Sequence, residues 1–476
     1  MMSGLKRLPL LFKQPVRRAS FMDKMSKDVR SKNPLKWTDY GDGLNASRPP
    51  KHADIVVIGG GVMGSSVAYF LRRQAQAGVS VCVVERDMSY TRASSALAVG
   101  GIRQQFSVPE NIYMSLYSAH FLRNIKQYLC VDDRDPPDIQ FNHQGYLTLA
   151  SPDNAHILEE NFKLQTELGA KLELLSSTGL KGRFPWINNE GVEVGAYGLE
   201  NEGWFDPYLL TRSFQQKAES LGAQYCRGEV IGFECNQVDK GMGVPGYYQG
   251  QGKRIKSVKV RMPNSPEVID VNCAMAVVCA GSWSGEITSM LGIGQGSAED
   301  LLDVPLPVEP RKRYVYVTHC PDGPGLDFPM IINLDGVYAR REGLGGNYVM
   351  GSCPFPDQTE PDCDNLNVDY EFFEEKIWPS LANRVPAFEN LKLKSAWAGF
   401  YDYNTIDQNA IIGHHPAYPN LLLATGFSGH GIQQSPAVGQ AISDLIFEGK
   451  FVEIDLARMG FERFISKRLV KEANIY

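Results

Sequence analysis

The 476-residue chain has no run of 18 or more consecutive apolar residues, so no segment reads as a membrane-spanning helix; peripheral contact with a membrane surface stays compatible. It has no C-x-x-C pair. Its nine cysteines stand singly from Cys82 to Cys363, an odd number that reads as reduced thiols and not as a disulfide framework. Histidines number only eight, and no His/Cys/Asp grouping has metal-ligand spacing, so no metal is expected. Internal repeats are absent. Charge is unevenly placed. Residues 1–36 carry ten Lys or Arg against Asp23 and Asp28, a net of +8, whereas the whole chain is −6, which leaves −14 for the remainder. So acidic a body argues against nucleic acid as a partner. The first 22 residues, with Lys6, Arg7, Lys13, Arg17 and Arg18 and no acid, lack the apolar core of a secretory signal and read as an organellar, mitochondrial transit peptide.

Against these absences stand two glycine-rich strand–turn–helix patterns at opposite ends. The first runs from Asp54 through the apolar residues Ile55 to Ile58 into Gly59, Gly60, Gly61 and Gly64, ahead of an apolar stretch to Leu71. In the dinucleotide fold such spacing gives the first glycine the tight turn, the second a close backbone approach to diphosphate, and the last close helix–strand packing. The helix expected over 65–73 points its dipole at the phosphates. A second strand, Val79–Glu85, ends in a carboxylate 21 residues after Gly64, placed for the adenosine ribose. An acid there favours FAD or NAD over NADP. The second pattern is Leu421–Thr425 followed by Gly426, Ser428, Gly429, His430 and Gly431. Two converging loops suit a dinucleotide held at both ends; a nicotinamide enzyme has no need of the second.

Length predicts two domains. Residues 23–52 read as a linker, Glu110–Tyr128 as a long helix, and Asp206–Pro207 as the capped start of a helix over 208–221. Residues 236–268, rich in glycine, read as a hairpin insertion. Val304 to Ala396 changes to strands and turns, with Arg313–Val317, Val337–Arg341 and Asn347–Gly351 as strands, and is expected to form a separate sheet domain.

Several segments, in order, resemble the D-amino-acid-oxidase-like flavoproteins, the glycine oxidase, sarcosine oxidase and dimethylglycine dehydrogenase group. They are Gly59–Gly64 with Glu85, Gly100-Gly101-Ile102-Arg103, Gly203–Pro207, Cys279–Trp283, Trp397–Tyr401 with Asp407, and Gly426–Gly431 with Pro436 and Gly439. The resemblance implies an α/β fold: a Rossmann-like FAD-binding domain of glutathione-reductase type (53–138, 205–300 and 395–455) with an inserted, mainly antiparallel β-sheet substrate domain (139–204 and 301–394) and a tail over 456–476. It implies FAD bound by Gly59, Gly60, Gly61, Val62, Met63, Gly64, Glu85, Arg86, Ser94, Ser95, Gly100, Gly101, Ala280, Gly281, Gly426, Ser428, Gly429, His430, Gly431 and Ile432, with Trp283 packed in the core. His430 is expected to pack or touch the flavin and not to act as a base.

Relatives with covalent flavin use a Cys near the segment matching Trp397–Gly399 or a His before that matching Gly100-Gly101. Ala398-Gly399 and Leu97-Ala98 stand there, so the FAD is expected to be non-covalent. Sarcosine oxidases place a Lys just after the glycine–histidine–glycine loop, where this chain has Ile432-Gln433-Gln434. Arg103, Arg340 or Arg341 are candidates to replace that charge, and Tyr401, Asp402 and Tyr403 to line the pocket. The implied activity is oxidation of a small amine or amino acid. With Val308–Tyr316 and the basic leader, the likeness extends to a mitochondrial branch associated with respiratory complex I. That implies a matrix or inner-membrane setting and complex I assembly intermediates as partners. The alternative is an assembly factor in which FAD is structural.

Overall fold

The computed structural model describes residues 48–75, 78–237, 253–297, 300–355 and 358–473. The expected leader, most of the linker and the glycine-rich centre of the hairpin insertion lie outside them. Among the described residues, no helix is long and apolar enough to cross a membrane.

The apolar runs form a parallel sheet whose spatial order is Ile411–His415, Tyr418–Thr425, Val268–Val278, His52–Ile58, Val81–Glu85 and Gln224–Arg227, with only the first strand antiparallel to its neighbour. Side chains alternate across it, and both faces are covered. Ile55, Val57, Val83, Val277 and Leu422 pack under the helices Val62–Ala75, Pro207–Ser220 and Gly431–Glu448. Val56, Ile58, Val84, Val278 and Leu423 face the opposite core, with Val230, Val258 and Phe461. The strands Glu229–Gln237 and Lys253–Arg261 form an antiparallel pair that joins the start of Val268–Val278. Val62–Ala75 and Gly431–Glu448 approach closely: a Cβ on Gly439 would stand 2.2 Å from Ser66 Oγ, which donates to Ser435 O at 2.7 Å. The two glycine patterns are thereby locked side by side.

The second sheet has eight strands in the order Lys392–Asn404, Val308–His319, Asn347–Gly351, Tyr338–Glu342, Met330–Ile332, Tyr146–Ala150, Val194–Gly198 and Leu172–Ser176. It is antiparallel except where Met330–Ile332 meets Tyr146–Ala150. Trp397–Tyr401, expected in the dinucleotide domain, lies in this sheet, paired with Val308–His319 from Asn404 to Lys392. The expected boundary at 395 thus falls inside a strand, because a long two-stranded ribbon carries the second sheet up to the first.

Other boundaries differ too. The helix expected over Glu110–Tyr128 is two, Pro109–Arg123 and Ile125–Leu129, broken where Asn124 leaves helical backbone and its Nδ2 donates to His120 O. Pro207–Ser220 begins as expected, with Asp206 accepting from Leu209 N at 2.9 Å. Residues 456–473 are no loose tail: Phe461, Phe464 and Val470 are core residues, and Arg463 is buried against Asp407.

Candidate functional site

Local sterics build the first loop. Gly59 takes φ +101°, and a Cβ there would lie 2.4 Å from Cys279 O. Gly64 admits none at all, with Gly59 O only 1.8 Å away. Gly61 meets Ser95 Oγ at 2.8 Å, the oxygen that accepts the Val62 N–H at 3.0 Å. Gly60 N donates to Glu85 Oε2 and Asp87 N to Glu85 Oε1, both at 2.7 Å, so the carboxylate at the end of the second strand ties the loop to its neighbour. Burial raises the Glu85 pKa, opposed by those backbone bonds.

The loop opens on a cavity of about 1130 Å³, lined among others by Gly59, Gly61, Val62, Met63, Glu85, Arg86, Ser94, Ser95, Gly100, Gly101, Ala280 and Gly281. That exceeds the roughly 300–1,000 Å³ of ordinary small-ligand pockets, as an extended cofactor plus a substrate requires. Trp283 belongs to its wall and not to the core: the residue is half-buried, with the Arg86 guanidinium carbon 4.7 Å from the ring centre. Gly60, Gly64 and Gly426 shape the loops from behind the lining.

The opposite wall is the carboxy-terminal loop: Ser428, Gly429, His430, Gly431 and Ile432 all line the cavity. The loop turns through left-handed backbone at Gly426 (φ +72°), Ser428 (+49°) and Gly429 (+95°). Asp402 holds it there. One carboxylate oxygen accepts from Gly426 N at 2.7 Å and Phe427 N at 3.2 Å, and Asp402 O accepts from Ser428 N at 3.0 Å. Burial pushes the Asp402 carboxyl up to about 6 against those bonds. The helix Gly431–Glu448 then starts with Gln434 N donating to His430 O, so the N–H groups of Gly431, Ile432 and Gln433 are its first-turn donors.

Arg103 enters from beside Gly100 and Gly101. Its N–H donates to Gln433 Oε1 at 2.8 Å, its guanidinium lies 3.1 Å from His430 Nε2, and the Phe106 ring centre is 4.9 Å away. Burial, with Arg103 adding repulsion, lowers the His430 pKa to about 3 and keeps the ring neutral, an acceptor for the guanidinium. Behind Arg103, the buried Glu202 accepts from Gln104 N at 2.6 Å and Gln105 Nε2 at 2.8 Å. Burial raises its pKa to about 7.

Tyr401 lines the cavity with its hydroxyl 2.7 Å from an Arg313 nitrogen, and Arg313 is paired with Glu360 at 2.7 and 3.1 Å. The candidates Arg340 and Arg341 lie outside the lining. Arg340 donates to Val99 O at 3.0 and 3.2 Å, bracing the approach to Gly100. Arg341 donates to Pro324 O and Leu344 O and holds a turn. Both guanidinium groups are spent within the protein, Arg340 also on the Glu342 carboxylate. Sequence reasoning missed Arg313, Asp402 as a loop brace, and Glu202. The Asp402 brace had a legible sign, an acid on a strand preceding a glycine loop; the other two depend on cross-strand register.

A dinucleotide fits these residues. At Gly281 (φ +53°) and Gly429 a Cβ would meet no protein atom within 4 Å, although both front the cavity. Two helix amino termini, at Val62 and Gly431, also border it.

The comparisons agree on the class. A family model described as FAD dependent oxidoreductase (DAO) matches residues 54–445, and the chain belongs to that family. It is 52% identical to the FAD-dependent oxidoreductase domain-containing protein 1 of Xenopus laevis over 431 residues, 90% of this chain and 85% of that protein. It is 24% identical to the monomeric sarcosine oxidase of Bacillus sp. (strain B-0618) over 434 residues, 89% of this chain and 99% of that one. Among solved structures, L-proline dehydrogenase from P. horikoshii superposes with a TM-score of 0.71 at 25% identity, covering 88% of this chain and all of the other. The fold is thus the FAD-binding domain and sheet substrate domain of the amino-acid-oxidising flavoproteins, and family membership implies FAD.

Proposed function

We propose that this protein oxidises a carbon–nitrogen bond of an amino acid or N-methylated amine, with FAD held non-covalently in the cavity. One observation carries the reading: both glycine loops open on a single cavity, and its Gly426–Gly431 end also holds Arg103. Bound there, FAD supplies a two-electron acceptor for hydride leaving the carbon next to nitrogen. The first-turn N–H groups of Gly431, Ile432 and Gln433, and the helix dipole behind them, favour negative charge where the ring is reduced. Arg103 and the Tyr401 hydroxyl orient a polar substrate, while Tyr146, Met330 and Ile332 wall it from water. His430, neutral and hydrogen-bonded to Arg103, is not needed as a base when a neutral amine gives up hydride directly. Non-covalent attachment is supported by the residues at the expected tether positions, Ala398-Gly399 and Leu97-Ala98, none of which is Cys or His. The basic leader and the family resemblance support a mitochondrial setting, in the matrix or at the matrix side of the inner membrane, with complex I assembly intermediates as partners.

Anaerobic titration of the purified yellow protein with a panel of amines and amino acids tests the activity. Bleaching of the flavin by at least one of them, slowed in Arg103→Ala, is the expected result. A flavin that stays oxidised throughout the panel would favour a structural role in assembly.

A further inference from the structure

A second cavity, of about 400 Å³, adjoins the first and forms where a strand stops. Asn347–Gly351 pairs with Val308–His319 only as far as Gly351 opposite Val315, so Lys312, Arg313 and Tyr314 have no strand on that side. The chain leaving Gly351 crosses this open edge, and Ser352, Pro354, Gln358, Thr359, Glu360 and Pro361 close over it. Arg313, Ser352 and Pro354 line both cavities and form the partition between them.

Strand alternation turns Lys312 and Tyr314 to the face opposite Arg313 and Val315. Lys312 is 4% exposed, yet its ammonium makes no hydrogen bond or ion pair among the described residues; it lies 5.8 Å from the centre of the Tyr314 ring. A buried ammonium without a counter-charge is costly. The carboxylates of the lining are committed elsewhere. Glu360 accepts from Arg313 at 2.7 and 3.1 Å, and Asp369, exposed at the rim, accepts from Phe372 N at 3.0 Å to start a helix. Further donors border the same space. Arg313 Nε–H is buried with no partner, Gln358 keeps its amide N–H groups while its oxygen accepts from Phe355 N, and the Thr359 hydroxyl stands at the rim. Tyr314 and Phe372, ring centres 6.0 Å apart, add an apolar wall with Pro354 and Pro361.

We propose that this second cavity binds a small organic oxyanion, a carboxylate or a phosphate monoester. Its charged head meets Lys312 and Arg313 Nε, and its body lies against Tyr314 and Phe372. The volume falls at the lower end of the roughly 300–1,000 Å³ of small-ligand pockets and suits a single-ring compound. An ammonium is a point charge and takes either headgroup without demanding one orientation. Since Arg313 also donates to the Tyr401 hydroxyl at 2.7 Å, the occupant sits one residue away from the flavin cavity, as a ligand distinct from the compound oxidised.

The test uses the full-length protein loaded with FAD and reads binding, not turnover. Phenyl phosphate and benzoate are titrated by calorimetry, with phenol as the uncharged control. At least one anion should bind saturably, the tighter one naming the headgroup, and phenol should bind at least about tenfold more weakly. Lys312→Met should weaken the anion about tenfold or more, the size of one lost charge-assisted hydrogen bond, and lose the rise in melting temperature that the anion gives wild type. Lys312→Arg, which keeps the charge, should recover part of the affinity. Arg103→Ala alters the flavin cavity alone and should bind the anion like wild type. Lys312→Gln takes the place of Met if that variant precipitates. A wild type that binds neither anion, a Lys312 variant without charge that binds like wild type, or binding abolished by Arg103→Ala overturns the proposal.

Discussion

At the scale of single residues, burial and not sequence position sets the chemistry. Glu85, Glu202 and Asp402 are three carboxylates whose pKa burial raises, each held by N–H donors. Glu202 gives a pH test with a definite sign. Its folded pKa, about 7, lies above the ordinary 4.5, so its contribution to stability is full below pH 4.5 and is lost as pH rises through 7. The upper bound is about 3 kcal/mol. Glu202→Gln cannot ionise. Urea unfolding should show the variant gaining on wild type between pH 4.5 and 7, and two parallel pH curves would refute the assignment. The arginines teach the complementary lesson. Arg103, Arg340 and Arg341 are equally plausible as anion receivers by residue type. Their partners separate them: Arg103 meets Gln433 and His430 from the far end of the chain, Arg340 is spent on Val99 O and Glu342, and Arg341 on the turn beside its own strand.

At the scale of elements, the carboxy-terminal loop stands on Asp402. Removing its carboxylate leaves the Gly426 and Phe427 N–H groups without their acceptor in a buried place, a cost on the order of 3 kcal/mol. Asp402→Ala should weaken FAD retention at least tenfold, measured by flavin fluorescence on dilution, with Asp402→Asn in between because an amide oxygen still accepts. Retention equal to wild type would show that the loop holds its shape unaided. In the first loop, the tight turn at Gly59 and the close helix–strand packing at Gly64 were legible. Gly59 and Gly64 are required by contacts with Cys279 O and Gly59 O that the fold generates wherever that spacing follows a buried strand. The ribbon of Val308–His319 with Lys392–Asn404 was not legible. Its strands are 73 residues apart at their facing ends, and their register obeys packing that no local period reveals.

At the scale of the whole molecule, a buried polar network joins the sheets to the carboxy terminus. Arg463 and Asp407 meet at 2.7 and 3.0 Å, side chains 3% and 0% exposed, with Asn404, Asn409 and Val470 completing the shell. Arg463→Met should destabilise the protein by about 3–5 kcal/mol in urea unfolding, because it strands a buried carboxylate. Adding Asp407→Leu should recover most of that loss; failure to recover would mean that the charges are needed for more than each other. Residues 456–473 of the expected tail are therefore a structural member, invisible beforehand because a buried arginine and an exposed one read alike. The chain alone determined the class: unbroken apolar runs, glycines at set spacing and an acid at the second strand's end are local features, and local sterics gives them one meaning. Only the tertiary structure decided which cations, carboxylates and aromatic rings face the cavity, since facing is a relation between segments hundreds of residues apart.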